Sequence, residues 1–376
     1  MLGAVVALGW MSSQLVPNKT PASQNATWAF VTPTRGVLVD GWHAGRGTPR
    51  PSYHVRWSPV DPLLVALLIS FSALRYQVGS DYPMYLEYFE RLDPRADWLA
   101  QIAYFQQDAG YTVFALIVKS VSAEPFAIFW ATAFVTVLPV YFVVRRVSAD
   151  IAFSLFLFVA LAFYVSAFNG VRQGVAVSLL FWGYSFIGRR NWAFVVLALL
   201  AASFHASALI AGVVLVLARL WRPTVRSAVI LIGGGTAVLL AIVSTPLAAE
   251  ILGSLNERYV HYVDRADASG VGTYLNAAAF LVLAIYALAN RKLVDDNGWL
   301  SAVLVAIVPF VLGTQVVELS RFFYYFGIFV ILLIPNIVIK QAAPGVRRLA
   351  IAAGSTGYYI AYLLNFGDLI PYRTYL

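Results

Sequence analysis

An all-α polytopic membrane protein with roughly 10 to 12 spanning helices, some of half length, is the fold the sequence predicts, because three observations agree. Hydrophobic residues make up 60% of the 376, charged residues 12%, and the mean hydropathy is +0.75, whereas an ordinary soluble domain is about a quarter charged. Apolar runs extend from Met1 to Asn365 and leave no stretch for a separate globular unit, so residues 1–376 read as a single membrane domain. The Lys and Arg residues fall in short clusters between those runs, which is how membrane orientation is encoded. On that reading the net charge of +8 does not call for nucleic acid.

Met1 to Val16 lacks the basic start and the small-residue cleavage site of a signal peptide and is expected to be a short first helix. Residues 17–59, with their Pro, Thr, Gly and Arg, are expected to form a flexible basic cytoplasmic loop. Spans are expected at Val60–Leu74, Phe126–Val144, Ile151–Phe168, Ala228–Leu247, Tyr274–Ala289, Leu300–Val317, Phe322–Ile339 and Leu349–Leu364. Residues 75–124 and 248–272 are expected as outer-face loops.

Helix length decides two segments. Ile151 to Gly188 would measure roughly 57 Å as one helix, far beyond the ~30 Å hydrocarbon, so it must fold back. The turn is expected at Asn169-Gly170, with Arg172 and Gln173 opening the returning helix. Trp192 to Ala218 would measure roughly 40 Å, too long for one straight span. Read as a hairpin of two short helices with His205 at its centre, it puts every basic cluster on one side. That side then holds 17 Lys and Arg against 5 acidic residues, and the other holds 9 against 13, an asymmetry that marks the first as cytoplasmic. The same parity requires Tyr111–Ser122, which contains Lys119, to lie along the outer surface.

The absence of cysteine excludes disulfides, thiolate metal sites and Cys nucleophiles, and four His offer little for an imidazole-rich metal site. No metal or cofactor is expected, and no Walker, Rossmann or nucleophile-elbow pattern occurs. Polar groups expensive in lipid are the candidates for chemistry: Arg75, Asp81, Arg172, Gln173, His205, Glu318 and Arg321 all fall at outer helix ends or turns. Arg75 to Tyr82 follows a span directly, and Gly79 lets the chain turn there; a juxtamembrane anchor with a local salt bridge is the plainer reading. Arg172 has no acidic neighbour in sequence, so its counter-ion is Glu318, Asp81 or a bound anion such as phosphate, for which a guanidinium offers paired donors. His205 serves as acid, base or sugar ligand, or simply satisfies a freed carbonyl. Glu318 and Arg321 are helix neighbours at i, i+3. Tyr324, Tyr325 and the nearby Phe residues form an aromatic belt or a sugar-stacking wall.

Taken in order, these clusters resemble the EpsG family of bacterial exopolysaccharide proteins, grouped with Wzy-like polymerases. Arg75 to Tyr82 is similar to that family's Arg-Tyr-x-x-Gly-x-Asp-Tyr, Asn169 to Gln173 to its Asn-x-x-Arg-Gln, His205 to Ala208 to its His-x-Ser-Ala, and Arg321 with Tyr325-Phe326 to its late Arg and Tyr-Phe. Two departures are Asp108-Ala109-Gly110-Tyr111, where the family has Glu before Gly-Tyr, and the long basic loop. The resemblance implies a fold akin to the GT-C glycosyltransferases and a polymerase in the bacterial inner membrane. It would join oligosaccharide repeat units carried on a polyprenyl diphosphate at the outer face, with a flippase and a chain-length regulator as candidate partners. In that chemistry Asp81 or His205 is the expected catalytic proton acceptor. Arg172 and Arg321 meet the developing charge, while Arg75, Tyr82, Asn169, Gln173, Glu318 and Tyr325 complete substrate binding. A transporter of a lipid-linked sugar and a membrane ligase or acyltransferase are the alternatives.

Overall fold

The computed structural model describes residues 60–105, 108–243, 271–313 and 317–375, with positions 3, 7 and 245 besides. The expected first helix, the loop 17–59 and most of the outer loop 248–272 lie outside the described residues, as does the side chain of Glu318. Every regular element described is a helix: α1 (Val60–Ala73), α2 (Tyr82–Arg91), α3 (Trp98–Phe105), α4 (Ala109–Val121), α5 (Ala127–Val147), α6 (Ile151–Ala160), α7 (Phe163–Ser166), α8 (Val171–Tyr184), α9 (Asn191–Phe204) and α10 (Ser207–Leu220). Then follow α11 (Val225–Val229), a π turn and α12 (Gly235–Val243), α13 (Val271–Ala289), α14 (Asn297–Val305), α15 (Ile307–Leu312), α16 (Val317–Ser320), α17 (Phe323–Gly327), α18 (Val330–Val338) and α19 (Pro344–Asn365).

Among these, only α5 is both long and apolar enough to cross a bilayer in one piece. The other apolar runs are more broken than the sequence suggests. Ile151–Phe168 parts at Ala162, which sits at φ 63°, into α6 and α7. Leu300–Val317 parts at Ala306 and again at Gly313, and Phe322–Ile339 parts between α17 and α18. Hydropathy counts apolar residues and does not register such breaks, because a carbonyl freed at a short turn is re-satisfied by the next turn of helix. The predicted hairpin is present: α9 and α10 are two 14-residue helices joined at His205 and Ala206. The turn at Asn169-Gly170 is present too, with Gly170 as the N-cap of α8.

The helices alternate in direction, which gives the bundle two chemically different ends. At one end Asp61, in the first turn of α1, meets Arg145, in the last turn of α5, at 3.2 Å, and both side chains are buried. Arg219 at the end of α10 meets Asp296 at 3.1 Å and donates to the Tyr184 hydroxyl at the end of α8. Lys340 meets Asp295 at 2.5 Å, and Arg348 meets Asp150 at 2.8 Å. Taking one partner from a buried pair costs about 3–5 kcal/mol, because the remaining charge is stranded; the Asp61–Arg145 pair therefore fixes α1 against α5. The opposite end collects the start of α4, the start of α8, the α9–α10 turn and the segment before α17. These are the elements that carry most of the polar candidates.

The outer faces of the bundle are apolar. Leu199, Leu209, Ile210, Val213, Val282, Ile285, Val346 and Leu349 are all exposed. Water-soluble proteins rarely leave so much large apolar surface open.

Candidate active site

The site is assembled around a carboxylate that the residue-level reading did not select. Asp108 precedes the first residue of α4, and its Oδ2 accepts a hydrogen bond from Arg172 Nη1 at 2.6 Å. The same oxygen lies 3.7 Å from His205 Nδ1. Arg172 is the second residue of α8 and His205 follows the last residue of α9, so three helix ends meet at one carboxylate. Their close approach has a local cause. Gly110 packs directly against Ser203, two residues before His205; a Cβ at position 110 would lie 2.1 Å from Ser203 Oγ and 2.8 Å from the Ser203 carbonyl carbon. The Gly that follows the acid in Asp108-Ala109-Gly110-Tyr111 thus lets α4 and α9 touch.

The counter-ion of Arg172 is therefore Asp108, whereas the sequence left Glu318, Asp81 and a bound anion open. Asp81 is nearby all the same: the charges acting on its carboxylate are those of Arg321 and Arg172. Its one side-chain partner is Ser80 Oγ at 3.3 Å, and it joins no ion pair among the described residues. Burial pushes the Asp81 carboxyl above the ordinary carboxylate value, and the Ser80 hydroxyl and the two guanidiniums pull the other way without cancelling it. Arg321 is exposed, and its backbone carbonyl accepts from Gln173 Nε2 at 2.7 Å. Gln173 thereby ties the segment bearing Arg321 to the helix bearing Arg172. Tyr325 is buried and shares a 3.0 Å hydrogen bond with Ser207 at the start of α10. Beneath the cluster, Gly170, Gln173, Ser166 and Tyr324 border a cavity of about 30 Å³, room for one or two waters. The cluster itself opens outward, with the side chains of Asp108, Arg172 and His205 between 21% and 30% exposed.

Arg75 and Tyr82 stand elsewhere. Arg75 is 2% exposed, lies between the rings of Phe129 and Phe168 at 4.8 and 4.6 Å, and donates to the Ser72 carbonyl at 2.6 Å. Tyr82 is buried and stacked on Phe129 at 4.4 Å. Both belong to the packing that carries the 75–81 loop rather than to the surface that Arg172 shares. Asn169 is a clip for that loop. Its Oδ1 accepts from the Ser80 backbone N–H at 2.9 Å, while Gly79, turned at φ 96°, gives its own N–H to Asp368 of the C-terminal segment. That segment also pairs with the loop through Tyr76 N–H to the Arg373 carbonyl at 2.9 Å. No signal in the sequence marks this contact, which spans nearly the whole chain.

Fold and cluster together define, among the described residues, an all-helical bundle with apolar outer faces and a cation-bearing polar site at one end. The EpsG family model matches residues 60–374, nearly all of the chain, and the protein belongs to that family of Wzy-like polymerases. Membership makes it an enzyme of the exopolysaccharide-polymerase type, located in a membrane. No curated protein and no solved structure matches the chain.

Proposed function

We infer that the protein joins oligosaccharide repeat units carried on a polyprenyl diphosphate, at the outer face of the bacterial inner membrane, through the cluster around Asp108. The observation that carries this reading is the Arg172–Asp108 contact: a guanidinium at a helix start, held by a carboxylate that an incoming anion can replace. Arg172 and Arg321 receive the donor diphosphate, which takes the place of the Asp108 carboxylate. Asp108 then turns to His205, already 3.7 Å away. His205, oriented through Nδ1, offers its other ring nitrogen to a sugar hydroxyl.

In the transfer, the acceptor hydroxyl oxygen forms a bond to the anomeric carbon of the donor and the bond from that carbon to the diphosphate breaks. The electron pair leaves with the diphosphate, whose growing charge the two guanidiniums stabilise. The hydroxyl proton passes to Asp81. A bound diphosphate offsets the two positive charges that lower the proton affinity of Asp81, so its carboxylate becomes a stronger base when the donor is in place.

A multi-pass topology with this end outside suits both the alternation of the helices and the charge distribution. The Asp61–Arg145 end, with the basic clusters, is then cytoplasmic. Its ion pairs close that end of the bundle, which favours one-sided chemistry over transport. The test is polymerisation by the purified protein in vesicles given a synthetic polyprenyl-diphosphate repeat unit. Chains of many units support the reading; movement of the substrate across the vesicle without chain growth would replace it with transport.

A further inference from the structure

At the Asp61–Arg145 end, three guanidiniums converge without an acid. Arg146 lies in the last turn of α5, and Arg189 and Arg190 lie in the turn between α8 and α9. The charges acting on Arg146 are those of Arg189 and Arg190. Among the described residues none of the three meets a carboxylate, although Arg145, Arg219, Lys340 and Arg348 nearby in the fold each have one. The turn is held in shape by Gly188, at φ 83°, whose N–H donates to Asn191 Oδ1 at 2.7 Å. The arginine crowding is thus built by a defined turn.

Directly below the arginines runs an aromatic wall. Phe142, one helical turn before Arg146, faces Trp182 with ring centroids 6.5 Å apart, and Trp182 faces Phe186 at 6.0 Å. Phe142 is open on its outer side, and Trp192, just past the turn, is 69% exposed. A basic rim over a partly exposed aromatic wall matches one kind of molecule, an anion with a hydrocarbon tail. A soluble phosphate fits the rim alone, and a neutral lipid fits the wall alone.

We propose that Arg146, Arg189 and Arg190 form a binding site for the headgroup of an anionic phospholipid of the inner leaflet, with its acyl chain along Phe142, Trp182 and Phe186. The inference rests on the reading that the chain spans a membrane with this end cytoplasmic. The phosphate relieves the mutual repulsion of the three guanidiniums, so the bound lipid holds the end of α5 against the α8–α9 turn.

The test uses the full chain purified in a neutral detergent, with thermal unfolding followed as phosphatidylglycerol, phosphatidylcholine or inorganic phosphate is added. Phosphatidylglycerol is expected to raise the melting temperature with saturation, and the other two to leave it unchanged. Arg189→Gln with Arg190→Gln is expected to weaken phosphatidylglycerol binding by about thirtyfold, the loss of two basic contacts, whereas Arg189→Lys with Arg190→Lys retains binding within a few-fold. Equal shifts with phosphatidylcholine, a shift with phosphate alone, or an unchanged response in the glutamine variant would each overturn the proposal. Alkaline extraction of membranes separates this failure from failure of the topology: a protein that stays in the bilayer yet shows no lipid preference refutes only the lipid site.

Discussion

Asp108 and Arg172 meet at 2.6 Å across 64 residues of sequence, and the oxygen that neutralises the arginine lies 3.7 Å from His205 Nδ1. The pair occupies the position in which the account puts the donor diphosphate. Arg172→Ala is expected to lower the initial rate of chain growth in isolated membranes by about 10²–10³-fold, the effect of losing one donor to developing negative charge. Arg172→Lys should recover little, because a lysine keeps the charge and loses the planar fork. Asp108→Asn should cost less than Arg172→Ala, and the double variant should be no slower than Arg172→Ala alone, since the two residues act as a unit. Additive losses would place them in separate roles.

Asp81 gives a prediction with opposite signs for stability and rate. Its carboxyl is raised by burial, so the fold favours the protonated form. The stability it contributes is complete below its unfolded value and is lost as pH rises through the raised, folded value. At neutral pH the ionised group is therefore a burden to the fold. Asp81→Asn should raise the melting temperature of the purified protein while stopping turnover, and the acid limb of the wild-type rate should lie above the ordinary carboxylate range. A variant that melts lower, or still makes polymer, would remove Asp81 as the proton acceptor.

Gly367 sits at φ 66° with Asn169 against it; an added Cβ would fall 1.6 Å from Asn169 Nδ2. Gly367→Ala should push Asn169 off the Ser80 N–H and disorder the loop that carries Asp81, lowering both melting temperature and rate. Part of the loss, about 1–2 kcal/mol, is backbone strain. Adding Asn169→Ala removes the colliding atom, so the double variant should melt above the sum of the single effects. Strict additivity would show that the clip is not the route.

Arg75 tests a structural role. The guanidinium lies flat between Phe129 and Phe168, so Arg75→Lys should lose about 1–2 kcal/mol of stacking and cation–π energy. The expected readout is a lower melting temperature with an unchanged KM for the lipid-linked donor. A changed KM at constant stability would return Arg75 to the donor.

How much was legible in the sequence varies with the range of the interaction. The α9–α10 hairpin and the Asn169-Gly170 turn were readable because span length and charge sorting are arithmetic on local residues. The breaks at Ala162, Ala306 and Gly313 were not, since apolar composition is the same on both sides of each. Arg172 and His205 stood out as costly polar groups beside lipid-length helices. Asp108 did not, because it lies in a polar loop where a carboxylate needs no explanation; its one signal was its place before Gly110-Tyr111. The contact of the C-terminal segment with the 75–81 loop is made largely by backbone atoms, which carry no residue-specific mark.

The most direct test is the size distribution of surface polysaccharide in cells lacking the protein, complemented with wild type or with Arg172→Ala at matched membrane levels. Long polymer is expected with wild type, and single repeat units left on the lipid carrier with Arg172→Ala. Long polymer restored by Arg172→Ala would contradict it.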